Sequence, residues 1–275
     1  MNFYLKTKDH SVTQENFTLN HNEELDMLVT EPQPENLDVY YESEDYISHT
    51  DAKETVVDKM YQAVKNYSLQ KKIQLITYYT KGEKSVLDVG AGTGDFLITA
   101  QNNKWTCAGV EPNEAARKKA TEKGLDLFSS LETLPEKKYS VITLWHVLEH
   151  LPNLDEQIKM LKSKLTENGT LIIAVPNFKS YDAKYYKEYW AAFDVPRHLW
   201  HFSKTAIKKI FAKHNMKLIK TKPMLFDAFY VSLLSEKYKT GKQNMFTAFY
   251  RGLRSNLSAM RTNEHSSVIY ILKKD

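Results

Sequence analysis

The chain has 275 residues, 42% hydrophobic and 26% charged, a balance that suits a globular protein of one or two domains and excludes a collagen-like, low-complexity or wholly disordered chain. No run approaches the roughly 18 apolar residues of a membrane span, the N-terminus lacks the apolar core of a signal peptide, and the lone Cys107 excludes an intrachain disulfide, a Cys-rich zinc site and an iron–sulfur cluster. A reducing, cytoplasmic location is the expectation. The formal net charge is +4, but residues 1–60 hold 4 basic against 14 acidic side chains, residues 61–176 hold 15 against 13, and residues 177–275 hold 19 against 7. This split predicts either acidic and basic regions that face one another or are solvated, or a basic C-terminal lobe that attracts an anionic ligand.

In chain order, residues 1–50 read as acidic and irregular, broken at Pro32 and Pro34 and anchored by Tyr40, Tyr41 and Tyr46. A helical period runs from about Lys53 to Tyr79. Short apolar runs then alternate with amphipathic stretches. Strands are predicted at Ser85–Val89, Trp105–Val110, Leu125–Phe128, Tyr139–Leu144 and Thr170–Val175, with helices at Thr93–Asn102, Asn113–Lys123 and around Leu154–Leu165. That order predicts a parallel sheet with helices on both faces. A helix at Lys204–His214 and a final strand pair, Lys217–Thr221 and Val268–Leu272, follow, with an aromatic and basic insertion, Lys222–Ser266, between the two strands. The predicted division is an N-terminal extension, 1–52, and a main domain, 53–275.

Val86-Leu87-Asp88-Val89-Gly90-Ala91-Gly92-Thr93-Gly94-Asp95 carries an apolar strand through three glycines into a helix. Glycines permit a sharp turn and close approach of a ligand, and the helix start offers unpaired N–H groups. A dinucleotide fold would need its third small residue at position 95, where Asp stands. The next strand ends in Gly109-Val110-Glu111-Pro112-Asn113, and Glu111 lies 21 residues beyond Gly90, about the interval that one helix and one strand require.

The Asp-x-Gly-x-Gly-x-Gly spacing and the acid that follows resemble class I S-adenosylmethionine-dependent methyltransferases. The Val147-Leu148-Glu149-His150 run is similar to the branch that contains ubiquinone-biosynthesis O-methyltransferases. The resemblance implies a doubly wound, Rossmann-like α/β fold with a mostly parallel seven-stranded sheet. It also implies S-adenosylmethionine as cofactor, with Glu111 accepting the ribose hydroxyls. Cofactor contacts are expected from Asp88, Gly90, Ala91, Gly92, Thr93, Gly94, Glu111, Pro112, Ser130, Leu131 and Trp145. Ser140 and Ser129-Ser130 stand where relatives usually carry acids. Leu25–Pro34 with Tyr40-Tyr41 resembles the end of a zinc ribbon that precedes some methyltransferases, but this region has no cysteine, so it predicts a chain path and no metal.

Methyl transfer is an in-line displacement governed by positioning, and a base is needed only where the acceptor must lose a proton. His146, His150, His198 and His201 are candidate bases because imidazole titrates near neutrality, with His146 and His198 favoured as catalytic. Arg197 either clamps an acceptor carboxylate or phosphate or pairs with an acid such as Asp194. Ubiquinone-type relatives imply a divalent metal on acids and a histidine of the 146–150 run. His146 occupies the first of those acidic positions, so no metal is expected. The expected acceptor is a small molecule, anionic or lipid-linked, with its pocket between the Asp194–Phe202 loop and the 222–266 insertion. A nucleic-acid methyltransferase and a non-catalytic cofactor-binding scaffold are the alternatives.

Overall fold

The computed structural model describes residues 1–41 and 56–275, with backbone alone at residue 38 and residues 56–61. Tyr46 and the 52/53 boundary lie outside the described residues.

Three strands open the chain, β1 (Asn2–Lys8), β2 (Asn16–Asn22) and β3 (Met27–Glu31). They pair antiparallel and are extended by β8 (Trp200–Phe202) in the order β1-β2-β3-β8. The expectation of an irregular N-terminus is therefore corrected. In Asn16-Phe17-Thr18-Leu19-Asn20 the apolar residues alternate with polar ones, the period-two pattern of a half-buried strand, and Phe17 and Leu19 are buried.

Next come α1 (Val56–Tyr79), β4 (Ser85–Val89), α2 (Asp95–Asn102), β5 (Thr106–Val110), α3 (Glu114–Glu122), β6 (Tyr139–Trp145), α4 (Leu154–Lys164) and β7 (Leu165–Pro176). The chain continues with α5 (Tyr181–Tyr186), β8, α6 (Lys204–Lys213), β9 (Met216–Pro223), α7 (Asp227–Thr240), α8 (Met245–Thr262) and β10 (Ser267–Lys274). The large sheet has the order β5-β4-β6-β7-β10-β9, and β4 pairs parallel with both β5 and β6. The predicted third strand, Leu125–Phe128, joins through a single parallel bridge, Val110 to Phe128. The insertion is a helical hairpin, α7 and α8.

Contacts divide the chain into two compact units. One holds 1–43, 146–154 and 174–270, and the other holds 44–145, 155–173 and 271–275. Within the first unit β3 pairs with β8 some 170 residues onward. In the first unit Phe17, Leu19, Leu28 and Tyr40 share one core with Phe178, Tyr186, Trp190 and Phe193. Its acidic N-terminal and basic C-terminal residues pair as Asp26–Lys179, Glu24–Lys213 and Asp9–Arg197. In the second unit the Ser140 hydroxyl donates to the Ser85 carbonyl at 2.8 Å, and the Ser140 N–H donates to the Ser85 hydroxyl at 3.0 Å. Ser140 thus closes a buried pair where the first two central strands begin.

Candidate active site

In the second unit, β4 turns into α2 through Gly90, Gly92 and Gly94, whose φ values of 73°, 54° and 80° are left-handed, a region that glycine enters without strain. At Gly94 a Cβ would come within 2.6 Å of Leu125 Cδ1, while at Gly92 it would meet nothing within 4 Å. Gly94 is thus fixed by packing, and Gly92 opens onto free space. Asp95 starts α2 against Lys65 at 2.6 Å and Lys123 at 2.8 Å. Burial pushes its carboxyl up, but the two lysines more than reverse this and leave it below the usual range. A carboxylate at this helix start suits a pyrophosphate poorly.

Glu111 directly follows β5 and is largely buried. Its two oxygens accept from the Gly92 N–H at 2.8 Å and the Asn113 N–H at 2.9 Å, so this side chain ties the glycine loop to the following turn. Asp88 is buried, accepts from the Thr143 hydroxyl at 2.6 Å, and has its carboxyl pushed up to about 7 by burial. At the end of β6 the Trp145 ring lies edge-on to Phe96 at 5.8 Å, with Lys72 Nζ 4.3 Å above it. Its Nε1 is buried without a hydrogen-bond partner. Leu131 is buried, and the neighbouring Ser130 N–H donates to the Thr133 hydroxyl at 3.4 Å. The open space at Gly92 and the orphaned indole donor fit a ligand that the loop cradles without phosphate.

In the first unit, His146 has φ 58°, uncommon for a residue with a side chain, and is held there by its N–H bond to the Ala174 carbonyl at 2.9 Å. Its imidazole stands between two carboxylates, with Nε2 at 2.8 Å from Asp227 and Nδ1 at 3.4 Å from Glu149. Burial opposes its charge, but the two carboxylates prevail and raise it to about 10. With a carboxylate facing each ring nitrogen, His146 has no free lone pair to act as a base in this arrangement, a correction to its place among the candidate bases. Asp227 lies 81 residues away at the start of α7, a distance no local pattern bridges.

Glu149, His150 and His198 present ligand atoms within 4.8 Å of one another. His198 Nδ1 donates to the Ala192 carbonyl at 2.9 Å and His150 Nδ1 to the Arg197 carbonyl at 3.0 Å, which leaves both Nε2 lone pairs available. Burial and the neighbouring His198 push His150 down to about 4. Glu149 is buried, and neither of its oxygens makes a hydrogen bond. By ligand type and spacing this set suits a divalent cation. Its one carboxylate is shared with His146, whose nearer partner is Asp227, at 3.4 Å against 2.8 Å. His201 is buried in β8, donates from Nε2 to the Thr30 hydroxyl at 3.0 Å, and is driven well below the usual imidazole range by burial. It serves the sheet.

Arg197 is also corrected as an anion clamp. Its guanidinium is 3% exposed and is engaged by Asp194 at 2.7 and 3.1 Å, Asp9 at 3.0 Å, the Ser11 hydroxyl at 2.6 Å and the Tyr40 carbonyl at 2.8 Å. The structure takes the second alternative, a buried ion-pair network. Just before the first of the two segments expected to flank the acceptor, the Ala191 N–H donates to Ser235 of α7 at 2.9 Å within this unit.

Residues 61–221 match a family described as a methyltransferase domain. The ubiquinone biosynthesis O-methyltransferase of Actinobacillus pleuropneumoniae is 32% identical over 108 residues, 34% of this chain and 46% of that protein, so the chain spans about half the length of that relative. Magnesium protoporphyrin IX methyltransferase from Synechocystis, solved with bound SAH, superposes with a TM-score of 0.53 at 15% identity, covering 82% of this chain and 90% of that one. A Thermotoga maritima SAM-dependent methyltransferase, a possible histamine N-methyltransferase, gives 0.52 at 18% identity, covering 75% and 89%. At these identities the solved structures establish the shared fold. With the glycine loop and Glu111 inside the matched span, the chain belongs to the methyltransferase-domain family.

Proposed function

We propose that the protein is an S-adenosylmethionine-dependent methyltransferase with a small-molecule acceptor. The observation that carries this reading is the Glu111 carboxylate bonded to the Gly92 N–H at 2.8 Å, which places an acidic acceptor of hydroxyl hydrogen bonds beside a phosphate-free glycine loop. In this reading Asp88, Gly90, Ala91, Gly92, Thr93 and Gly94 form the cradle. Glu111 and Pro112 flank the ribose, Ser130 and Leu131 the adenine, and Trp145 Nε1 finds its partner in the ligand. The cofactor, when bound, supplies an electrophilic methyl on sulfonium.

The chain's own contribution to chemistry lies in the first unit. His146 holds its proton between Asp227 and Glu149 and so orients both carboxylates. His198, with Nδ1 committed to the Ala192 carbonyl, offers Nε2 as a proton acceptor for an acceptor hydroxyl or amine. Arg197 positions the 194–198 loop from within and touches no acceptor. The reading needs no metal. Calorimetry with S-adenosylhomocysteine and NAD tests it: micromolar binding of the first, about −8 kcal/mol, and none of the second is expected. NAD binding without a response to S-adenosylhomocysteine would overturn it.

A further inference from the structure

Helix α8 is built inside out. Its inward stripe, Ala248, Gly252, Ser255 and Ala259, is buried and small. A Cβ at Gly252 would come within 2.9 Å of Phe229 Cα and 3.0 Å of the Ala228 carbonyl, so the two helices of the hairpin approach at backbone distance. The Ser255 hydroxyl donates to buried Asp182 at 2.6 Å, which fixes the rotation of the helix. The large apolar residues consequently face solvent. Phe246 is 91% exposed and Met260 76%, and Phe249, Tyr250, Leu253 and Leu257 are exposed on the same side at spacings of three and four. On a helical wheel of 100° per residue these six span roughly 100° of arc, bordered by Arg254 and Arg261.

A contiguous exposed apolar stripe marks an interaction surface. The charge around it selects the partner. Residues 237–261 contain six cations, Lys237, Lys239, Lys242, Arg251, Arg254 and Arg261, and no Asp or Glu, and all but Arg251 are exposed. A second copy docked here would bring these cations against their equals. A surface that is apolar within and anionic at its rim satisfies both features, and that is the chemistry of a bilayer carrying acidic phospholipids. We propose that the α7–α8 hairpin seats this face in the headgroup layer of an anionic membrane, with the aromatic and leucine side chains among the acyl chains and Arg254 and Arg261 at the phosphates. No described helix is long and apolar enough to cross a membrane, so the attachment is peripheral. The hairpin begins at Asp227, the partner of His146, so the docking face and the candidate acceptor side belong to one element.

Co-sedimentation of the full chain with vesicles of phosphatidylcholine alone, or with phosphatidylglycerol added, tests the proposal. Binding to the anionic vesicles that weakens with added salt is expected. Arg254→Gln with Arg261→Gln should weaken it on the order of thirtyfold, and Phe246→Ser with Leu257→Ser should abolish it. All four positions are exposed, so the melting temperature and S-adenosylhomocysteine binding stay unchanged and report that the variants are folded. Equal binding to neutral and anionic vesicles, or none to either, would overturn the proposal. So would a dimer in sedimentation velocity that Phe246→Ser disperses without any vesicle binding.

Discussion

Replacing Arg197 by methionine keeps much of the side-chain volume and removes the charge that Asp9 and Asp194 face. Both carboxylates stay where they are, Asp9 fully buried and Asp194 22% exposed. Losing one partner of a buried ion pair costs about 3–5 kcal/mol, because the remaining charge is left without compensation. For a chain of this size that corresponds to a fall in melting temperature of roughly 10 °C. The pH dependence identifies the cause. Burial pushes the Asp9 carboxyl up, but the Thr13 N–H and Arg197 pull it down to about 2 from an ordinary 3.8. A depressed carboxyl contributes stability that is full above the unfolded value and lost as pH falls through the folded one, here between about 4 and 2. In Arg197→Met, Asp9 titrates upward instead, so the deficit is greatest near pH 7 and shrinks on acidification. Thermal melts of both proteins from pH 7 to pH 3.5 measure this. A variant as stable as the parent, with weaker acceptor binding, would refute the buried-network assignment and restore Arg197 to the acceptor.

Glu111→Ala should weaken S-adenosylhomocysteine binding by about 1.5–3 kcal/mol, roughly 10- to 150-fold, and loosen the glycine loop whose Gly92 N–H it holds; an unchanged dissociation constant by calorimetry would count against its role. His146 should keep its proton past pH 8 in the parent, and in Asp227→Asn it should release it at lower pH. Nitrogen chemical shifts of the ring report this, and a parent His146 that titrates near 6.5 contradicts the carboxylate sandwich. Treatment with a chelator should leave turnover unchanged, whereas loss restored by a divalent cation would convert Glu149, His150 and His198 into a metal site. His198→Ala should slow turnover roughly 10²- to 10⁴-fold with cofactor affinity unchanged; an unaffected rate would remove it as the base.

The alternation of strands and helices from Ser85 to Val175 was legible because buried strands and amphipathic helices carry different periods, and the structure follows it closely. The glycine loop and Glu111 were legible because the turn demands glycine and the strand end demands a fixed interval. The N-terminal strands are masked in the sequence, where acidity and prolines indicate a loop although Phe17 and Leu19 alternate correctly. The Asp194 partner of Arg197 is one of the two alternatives that the sequence offers. The Asp227 partner of His146 and the Asp9 partner of Arg197 are not legible in it. Asp227 and Asp9 reach them from 81 and 188 residues away, and only the folded chain brings such partners together. For Arg197 chemistry alone leaves a ligand clamp and an ion pair open; its burial decides for the pair.

The pairing of β3 with β8 has a consequence for how the protein is made. Met27 finds its neighbour Phe202 only after 175 further residues have been added, so on the ribosome the first three strands emerge long before the edge they complete. During that interval β3 presents an unpaired strand edge, the kind of surface that mispairs. Residues 1–41 therefore finish folding late, and with them the Asp9 carboxylate that Arg197 awaits. A protein synthesised without β8 would display that edge permanently, so C-terminal truncations before residue 200 should aggregate rather than accumulate as a smaller folded form.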